Sequence, residues 1–200
     1  YIEVDFLGFA GIVDAVGGVA EADHVAAVGD LEVVRLRADL VIEDDSRVAT
    51  AYFLMSEENI AKKIARPWMA FGSDAESLAP EGVFLKSNPH PRAYGTFARL
   101  LGRYVREEQV IPLAEAIRRL TSFPADNLGI ADRGRLEVGY FADIAVFDAA
   151  SIRDHATFAE PHRYATGVRH VFVNGVPVLL DGEHTGALPG RFVRKPPPSD

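Results

Sequence analysis

No cysteine occurs among the 200 residues. That excludes a disulfide framework and any thiolate metal site within the chain, and is compatible with the expected cytoplasmic location. Long hydrophobic runs are also missing: no apolar stretch approaches the roughly 18 residues that read as a membrane span, and nothing after Tyr1 reads as a signal peptide. A membrane is therefore not an expected partner. Cations are scarce as well, with 21 Lys and Arg against 29 Asp and Glu and a formal charge of -8. Phosphate backbones need a positive footprint, so nucleic acid is not expected either. A small anion remains possible, since one local arginine can hold it.

What the chain does contain is enough apolar material for a sizeable core: 48% of residues are hydrophobic and 25% charged, the balance of an ordinary globular chain. Along it, residues 1–38 are rich in Ala, Val and Gly. The segment 20–34 is ambiguous between helix and strand, because its apolar spacing fits both. Residues 48–54 are β-rich, Ser56 is placed to cap a helix over 57–65, and the apolar run 67–71, bounded by Pro67 and Gly72, suits a strand buried on both faces. Strand, helix, strand is the unit of a parallel α/β sheet.

A helix is expected to start at Gly95 or Thr96, with Phe97, Leu100, Leu101, Tyr104 and Val105 on one side. A second runs over 113–121 behind Pro112, where the missing N–H costs little. Residues 124–129 form a helical turn that stops at Gly129. From 134 onward the chain changes character. Residues 142–147 read as strand, and 168–173 with 176–180 read as a hairpin about Asn174-Gly175. Pro177 marks an edge or an early break. Residues 191–200, with Pro196-Pro197-Pro198, read as a tail.

Chemistry gathers after the apolar run 67–71. Asp74 sits just past its carboxyl end, where parallel α/β folds place active-site groups. Ser-Asp is also common turn chemistry, so the local sequence alone leaves Asp74 open between a cap and a catalytic acid. Arg92 follows on a proline-punctuated loop; it can grip a carboxylate with two parallel hydrogen bonds, or form an ion pair at the rim. His155, His162, His170 and His184 lack the spacing of a metal site and read as structural or exposed. The Glu107-Glu108-Gln109 run reads as a solvated connector.

Several motifs together resemble one family. Gly72-Ser73-Asp74, Asn88-Pro89-His90-Pro91-Arg92-Ala93-Tyr94-Gly95-Thr96-Phe97 and Leu100-Leu101-Gly102-Arg103-Tyr104 are similar to the N-acyl-D-amino-acid deacylases (D-aminoacylases) of the metal-dependent amidohydrolase superfamily. The similarity continues through Ala116-Ile117-Arg118-Arg119-Leu120-Thr121, Pro124-Ala125-Asp126-Asn127-Leu128-Gly129, Gly134-Arg135-Leu136 and Val171-Phe172-Val173-Asn174-Gly175. The block Gly139-Tyr140-Phe141-Ala142-Asp143-Ile144-Ala145-Val146-Phe147-Asp148 is common to amidohydrolases at large, whereas the His90 to Phe97 motif is narrower.

The resemblance implies an α/β fold: the C-terminal part of a (β/α)8 TIM-type barrel plus strands of a small β-sandwich domain. Its boundaries would be a peripheral segment at 1–38, barrel with the last strand and following helices at 39–133, sandwich at 134–190 and tail at 191–200. A complete barrel usually needs about 250 residues, so the chain is expected to be the C-terminal portion of a larger enzyme. The implied activity is metal-dependent hydrolysis of a linear amide in an N-acyl amino acid. Asp74 would touch the metal and shuttle a proton, and Arg92 would hold the substrate's α-carboxylate. Ser73 and Tyr94 would line the same pocket, and His90 would line it or brace the loop that aims Arg92. The implied cofactor is Zn2+, one ion or two, with the other ligands outside this chain, so that the remainder of the enzyme or another chain completes the barrel. Two alternatives stay open: a cyclic amidase of the dihydroorotase or hydantoinase kind, and a non-catalytic amidohydrolase remnant serving as an assembly module.

Overall fold

The structure, a computed structural model, describes residues 56–76 and 78–193, together with Glu3–Val4, Ile42 and Ala51–Tyr52. The ambiguous segment 20–34, most of 48–54 and the proline-rich end of the tail lie outside the described residues. The chain separates into two units, Tyr1–Glu57 and Glu58–Asp200. In the first, β1 (Glu3–Val4) and β2 (Ala51–Tyr52) pair in parallel.

The second unit is α/β in composition, with a helical part followed by a small antiparallel sheet. It opens within α1 (Glu57–Ile64). Residues 67–71 depart from expectation: they form a turn and an extended stretch, and no ladder partner occurs among the described residues. A strand exists only where a neighbour takes its backbone groups, and Trp68 is 71% exposed.

The next helix, α2 (Arg92–Arg99), begins earlier than Gly95. Pro91 occupies its N-cap position, where a proline loses no hydrogen bond, and the His90 ring accepts the Arg92 N–H at 3.0 Å. The helix runs on into wider π-helical turns over Leu100–Glu107. There Gly102 lets the backbone come close to the chain after the first sheet strand: a Cβ at this position would lie 2.6 Å from the Ile152 carbonyl oxygen. Arg106 fixes that approach by donating to the carbonyls of Ile152 at 2.7 Å and Ala149 at 3.3 Å.

Helix α3 (Leu113–Leu120) follows Pro112, and α4 (Ser122–Leu128) stops at Gly129 with φ 64. The left-handed conformation there is the usual helix stop. The spacing of Leu113, Ala116, Ile117 and Leu120 gives α3 one apolar stripe. Ala116 is fully buried, and it joins Ile64, Leu101, Tyr104, Ile111 and Ile152 in the core. Burial of such side chains contributes about 1.5–3 kcal/mol each for the larger ones, which is what holds α1, α2 and α3 together.

The sheet has the order β3-β4-β5-β6, from β3 (Ile144–Phe147), β4 (Val168–Val173), β5 (Val176–Leu180) and β6 (Glu183–His184). All its pairings are antiparallel. The tight turn between β4 and β5 puts Asn174 at φ 50 and Gly175 at φ 81, the conformation for which Asn-Gly is favoured. Side chains reinforce it. Arg133 pairs with Asp143 and donates to Asn174 Oδ1 at 2.6 Å, while the Asn174 N–H donates to Asp143 Oδ1 at 2.8 Å.

Candidate functional site

Two cations from α3 secure the segment that carries Asp74. Arg119 is 2% exposed, so its five donors need partners inside the protein. It donates to the carbonyl oxygens of Ile64 at 2.6 Å and Arg66 at 2.7 Å, and to Glu115 Oε1 at 2.6 Å. Its guanidinium also stands 5.8 Å from the centre of the Phe71 ring. Arg118 adds a bond to the Pro67 carbonyl at 3.3 Å and grips Glu115 through two nitrogens. The clamp fixes where the chain leaves α1 and enters the stretch to Asp74.

Glu115 titrates unlike an ordinary glutamate. Hydrogen bonds from Arg118 and then Arg119 lower its pKa from 4.5 to about 2. A carboxyl whose folded pKa is depressed stabilises the fold fully above its unfolded value, and that contribution disappears as pH falls through the folded value. Between pH 4.5 and 2 the protein is therefore expected to lose stability more steeply than a Glu115→Gln variant. Urea denaturation at intervals across that window checks it, and parallel curves for the two proteins would count against the clamp.

Asp74 and Arg92 meet. Arg92 Nη2 lies 3.0 Å from Asp74 Oδ2, with the side chains 45% and 88% exposed. Asp74 has φ 49, a left-handed conformation that aspartate tolerates better than most residues and that recurs at functional sites. The pair joins the two ends of the loop 75–91. The loop carries a short 3₁₀ turn, Gly82–Lys86, whose Val83, Phe84 and Leu85 are exposed.

Ser73, Arg92 and Tyr94 line one cavity of about 490 Å³. The rest of its wall comes largely from Phe97, Leu101, Ile117, Leu120, Phe147 and Val168. Tyr94 packs edge-on to Tyr164 at 5.7 Å and beside His162 at 6.2 Å. His90 stands apart from this wall. Its Nδ1 accepts the Arg92 N–H, and its ring meets Phe158 edge-on at 4.9 Å. Burial, and after it the positive charge of Arg92, lower the His90 pKa below the ordinary value, which favours the neutral ring that this acceptor role requires. The remaining histidines are dispersed: His155 meets the Thr166 hydroxyl, and the His170 and His184 rings accept backbone N–H groups.

Sequence reasoning missed the Arg118–Arg119 clamp. The available signal was a double arginine on the C-terminal half of an amphipathic helix, with Arg119 four residues after Glu115. Among the described residues, no group of three or more His, Cys, Asp or Glu side chains could hold a metal ion. Asp74 faces Arg92 instead, so the donor set present does not by itself fit a catalytic zinc.

A family model described as the amidohydrolase family matches residues 15–179. The chain belongs to this family. Among curated proteins it is similar to a D-aminoacylase from Alcaligenes xylosoxydans xylosoxydans, 37% identical over 78% of this chain and 31% of that protein. An N-acyl-D-glutamate deacylase from the same organism is 40% identical over 72% of this chain and 28% of that protein. Among solved structures, the N-acyl-D-glutamate deacylase of Bordetella bronchiseptica matches with a TM-score of 0.60 and 32% identity, over 88% of this chain and 32% of that one. That protein was solved with zinc and a phosphonate inhibitor that mimics the tetrahedral intermediate of its reaction. This amidohydrolase chain thus spans about a third of the length of the curated relatives it matches. Among its described residues no helix is long and apolar enough to cross a membrane.

Proposed function

We propose that the chain carries the proton-transfer carboxylate and the substrate-gripping arginine of a metal-dependent N-acyl-D-amino-acid deacylase. The observation that supports it most is the 3.0 Å approach of Asp74 and Arg92 beside a cavity that Ser73 and Tyr94 also line. In this reading residues 39–133 form the C-terminal part of a barrel and 134–190 part of a small β-sandwich. The remainder of the enzyme or another chain completes both, and 1–38 is peripheral. A cytoplasmic setting belongs to the proposal, since a cysteine-free chain loses nothing in a reducing compartment.

Arg92 presents a planar fork that matches the α-carboxylate of an N-acyl amino acid in two hydrogen bonds. When that carboxylate takes the guanidinium, Asp74 is released from its partner. The freed carboxylate can accept a proton from the attacking water and return it to the leaving amine nitrogen, as general base and then general acid. Ser73 and Tyr94 offer hydroxyls to the bound ligand, and His90 keeps Arg92 at the helix start. Zinc enters through the relatives, with Asp74 as this chain's contribution to its ligands. The described residues do not complete such a site.

The test is release of free D-amino acid from N-acetyl-D-amino acids by the polypeptide that carries this chain, supplied with zinc. D isomers are expected to react and L isomers to resist. Arg92→Ala is expected to raise KM by on the order of 10- to 100-fold, the loss of a charge-assisted bond pair. Opening of hydantoin or dihydroorotate rings with N-acetyl-D-amino acids left intact would establish the cyclic-amidase alternative instead. Absence of both activities with zinc bound would leave a non-catalytic assembly module.

A further inference from the structure

Asp74 gives up Arg92 when the substrate carboxylate arrives, so the guanidinium must then be kept in line by something other than its ion pair. A binding fork gains affinity only if its own placement is fixed before the ligand comes. Resting on the reading above, we propose that the loop 154–165, between β3 and β4, is the element that fixes it, with Phe158 as a positioning residue that acts through His90 to aim Arg92 at the substrate.

The loop is braced within itself. Arg153 and Thr166 close its base in an antiparallel bridge, with N–H to carbonyl bonds of 3.1 and 2.9 Å, and the His155 ring meets the Thr166 hydroxyl at 2.9 Å beside it. At the tip, the Thr157 N–H donates to the Glu160 carbonyl at 3.1 Å, while the Thr157 hydroxyl accepts the Glu160 N–H at 3.0 Å. Phe158 stands inside that turn. Gly167, at φ 94, brings the returning chain against the outgoing one: a Cβ there would lie 2.4 Å from the Ile152 Cα.

From this frame three contacts run to α2 and to the residue before its cap. The Phe158 ring meets His90 edge-on at 4.9 Å, and the His90 ring accepts the Arg92 N–H at 3.0 Å. Tyr164 meets Tyr94 edge-on at 5.7 Å. Arg99 Nη1 donates to Asp154 Oδ2 at 3.1 Å, and Asp154 lies across Gly95, where a Cβ would stand 3.1 Å from the Asp154 Cβ. Asp154 and Tyr164 thus hold the body of the helix, and Phe158 holds its start. Pro91, at the N-cap position, makes no side-chain capping bond, so the first N–H of α2 is secured by His90, and the His90 ring is set by Phe158.

Steady-state kinetics test this on the zinc-supplied polypeptide that carries the chain, with whichever N-acetyl-D-amino acid it hydrolyses best. Phe158→Ala is expected to raise KM by about 3- to 10-fold, the worth of one edge-on ring pair, while kcat stays within about twofold, as for any change confined to binding. Phe158→Tyr, which keeps the ring, should restore the parent KM. In an Arg92→Ala background Phe158→Ala should add nothing further to KM, because the two residues act through one chain of contacts. Phe158→Leu retains the bulk of the side chain and carries the same expectations should the alanine protein fail to fold. A loop that served stability alone would lower the melting temperature of these variants and leave KM where it was, or would add its full effect to that of Arg92→Ala. Either result, with KM raised by Arg92→Ala alone, overturns the inference and leaves the deacylase reading standing. An unchanged KM in Arg92→Ala, or no hydrolysis by the unmodified protein, would sink the reading itself and this inference with it.

Discussion

Asp74→Asn is expected to lower kcat for N-acyl-D-amino acid hydrolysis by about 10³-fold, within the range that a positioned general acid–base group supplies. The asparagine keeps the shape of the side chain and tolerates the same left-handed backbone, but it neither accepts nor returns a proton. The folded state should scarcely notice. Asp74 is 88% exposed, and exposed ion pairs of this kind contribute less than about 1 kcal/mol. Steady-state kinetics and a thermal melt on the same preparation separate the two effects. A variant that retains activity within tenfold of the parent would reduce Asp74 to the ordinary turn residue that Ser-Asp so often marks.

Arg119→Met has the opposite profile. Methionine fits the apolar surroundings but leaves the carbonyls of Ile64 and Arg66 without their donor and Glu115 without one of its two arginines. Leaving a buried carbonyl without its donor costs about 1–3 kcal/mol, so the midpoint of urea unfolding should fall. Arg119→Lys should recover only part of the loss, since an ammonium cannot span the carbonyls and the carboxylate in one plane. A methionine variant within 1 kcal/mol of the parent would show that the clamp is ornamental to stability.

The parts of the fold that could be read from sequence were those set by local chemistry. Asn174-Gly175 announces its turn because few other residues tolerate two successive positive φ values. Pro112 and Gly129 bracket α3 and α4 for equally local reasons. Where a distant partner decides, the reading failed. Residues 67–71 look like a buried strand, yet a strand needs a neighbour that no local pattern supplies. Helix α2 starts at Arg92 because a histidine ring accepts its first N–H, and histidine is not among the usual capping residues. The widened turns after Arg99 accompany the approach of Gly102 to Ile152, a contact across the fold.

The candidate site divides in the same way. Asp74 and Arg92 stood out because carboxylate and guanidinium chemistry is visible in residue type and motif, and their approach follows from a loop that returns to where it began. The support beneath them did not stand out. Arg118 and Arg119 look like solvent-facing cations at the end of a helix, and only the fold turns one of them inward.

The contact that closes the loop 75–91 bears on how this protein can change over generations. The loop leaves Asp74 and returns to Arg92, 3.0 Å away, so residues added or removed between them lengthen or shorten a loop whose ends already lie together. Doubling the length of such a loop costs only about 0.6 kcal/mol of closure entropy. The exposed tip around Phe84 can therefore vary in length and sequence at little cost to the fold, which makes this loop a natural place for insertions.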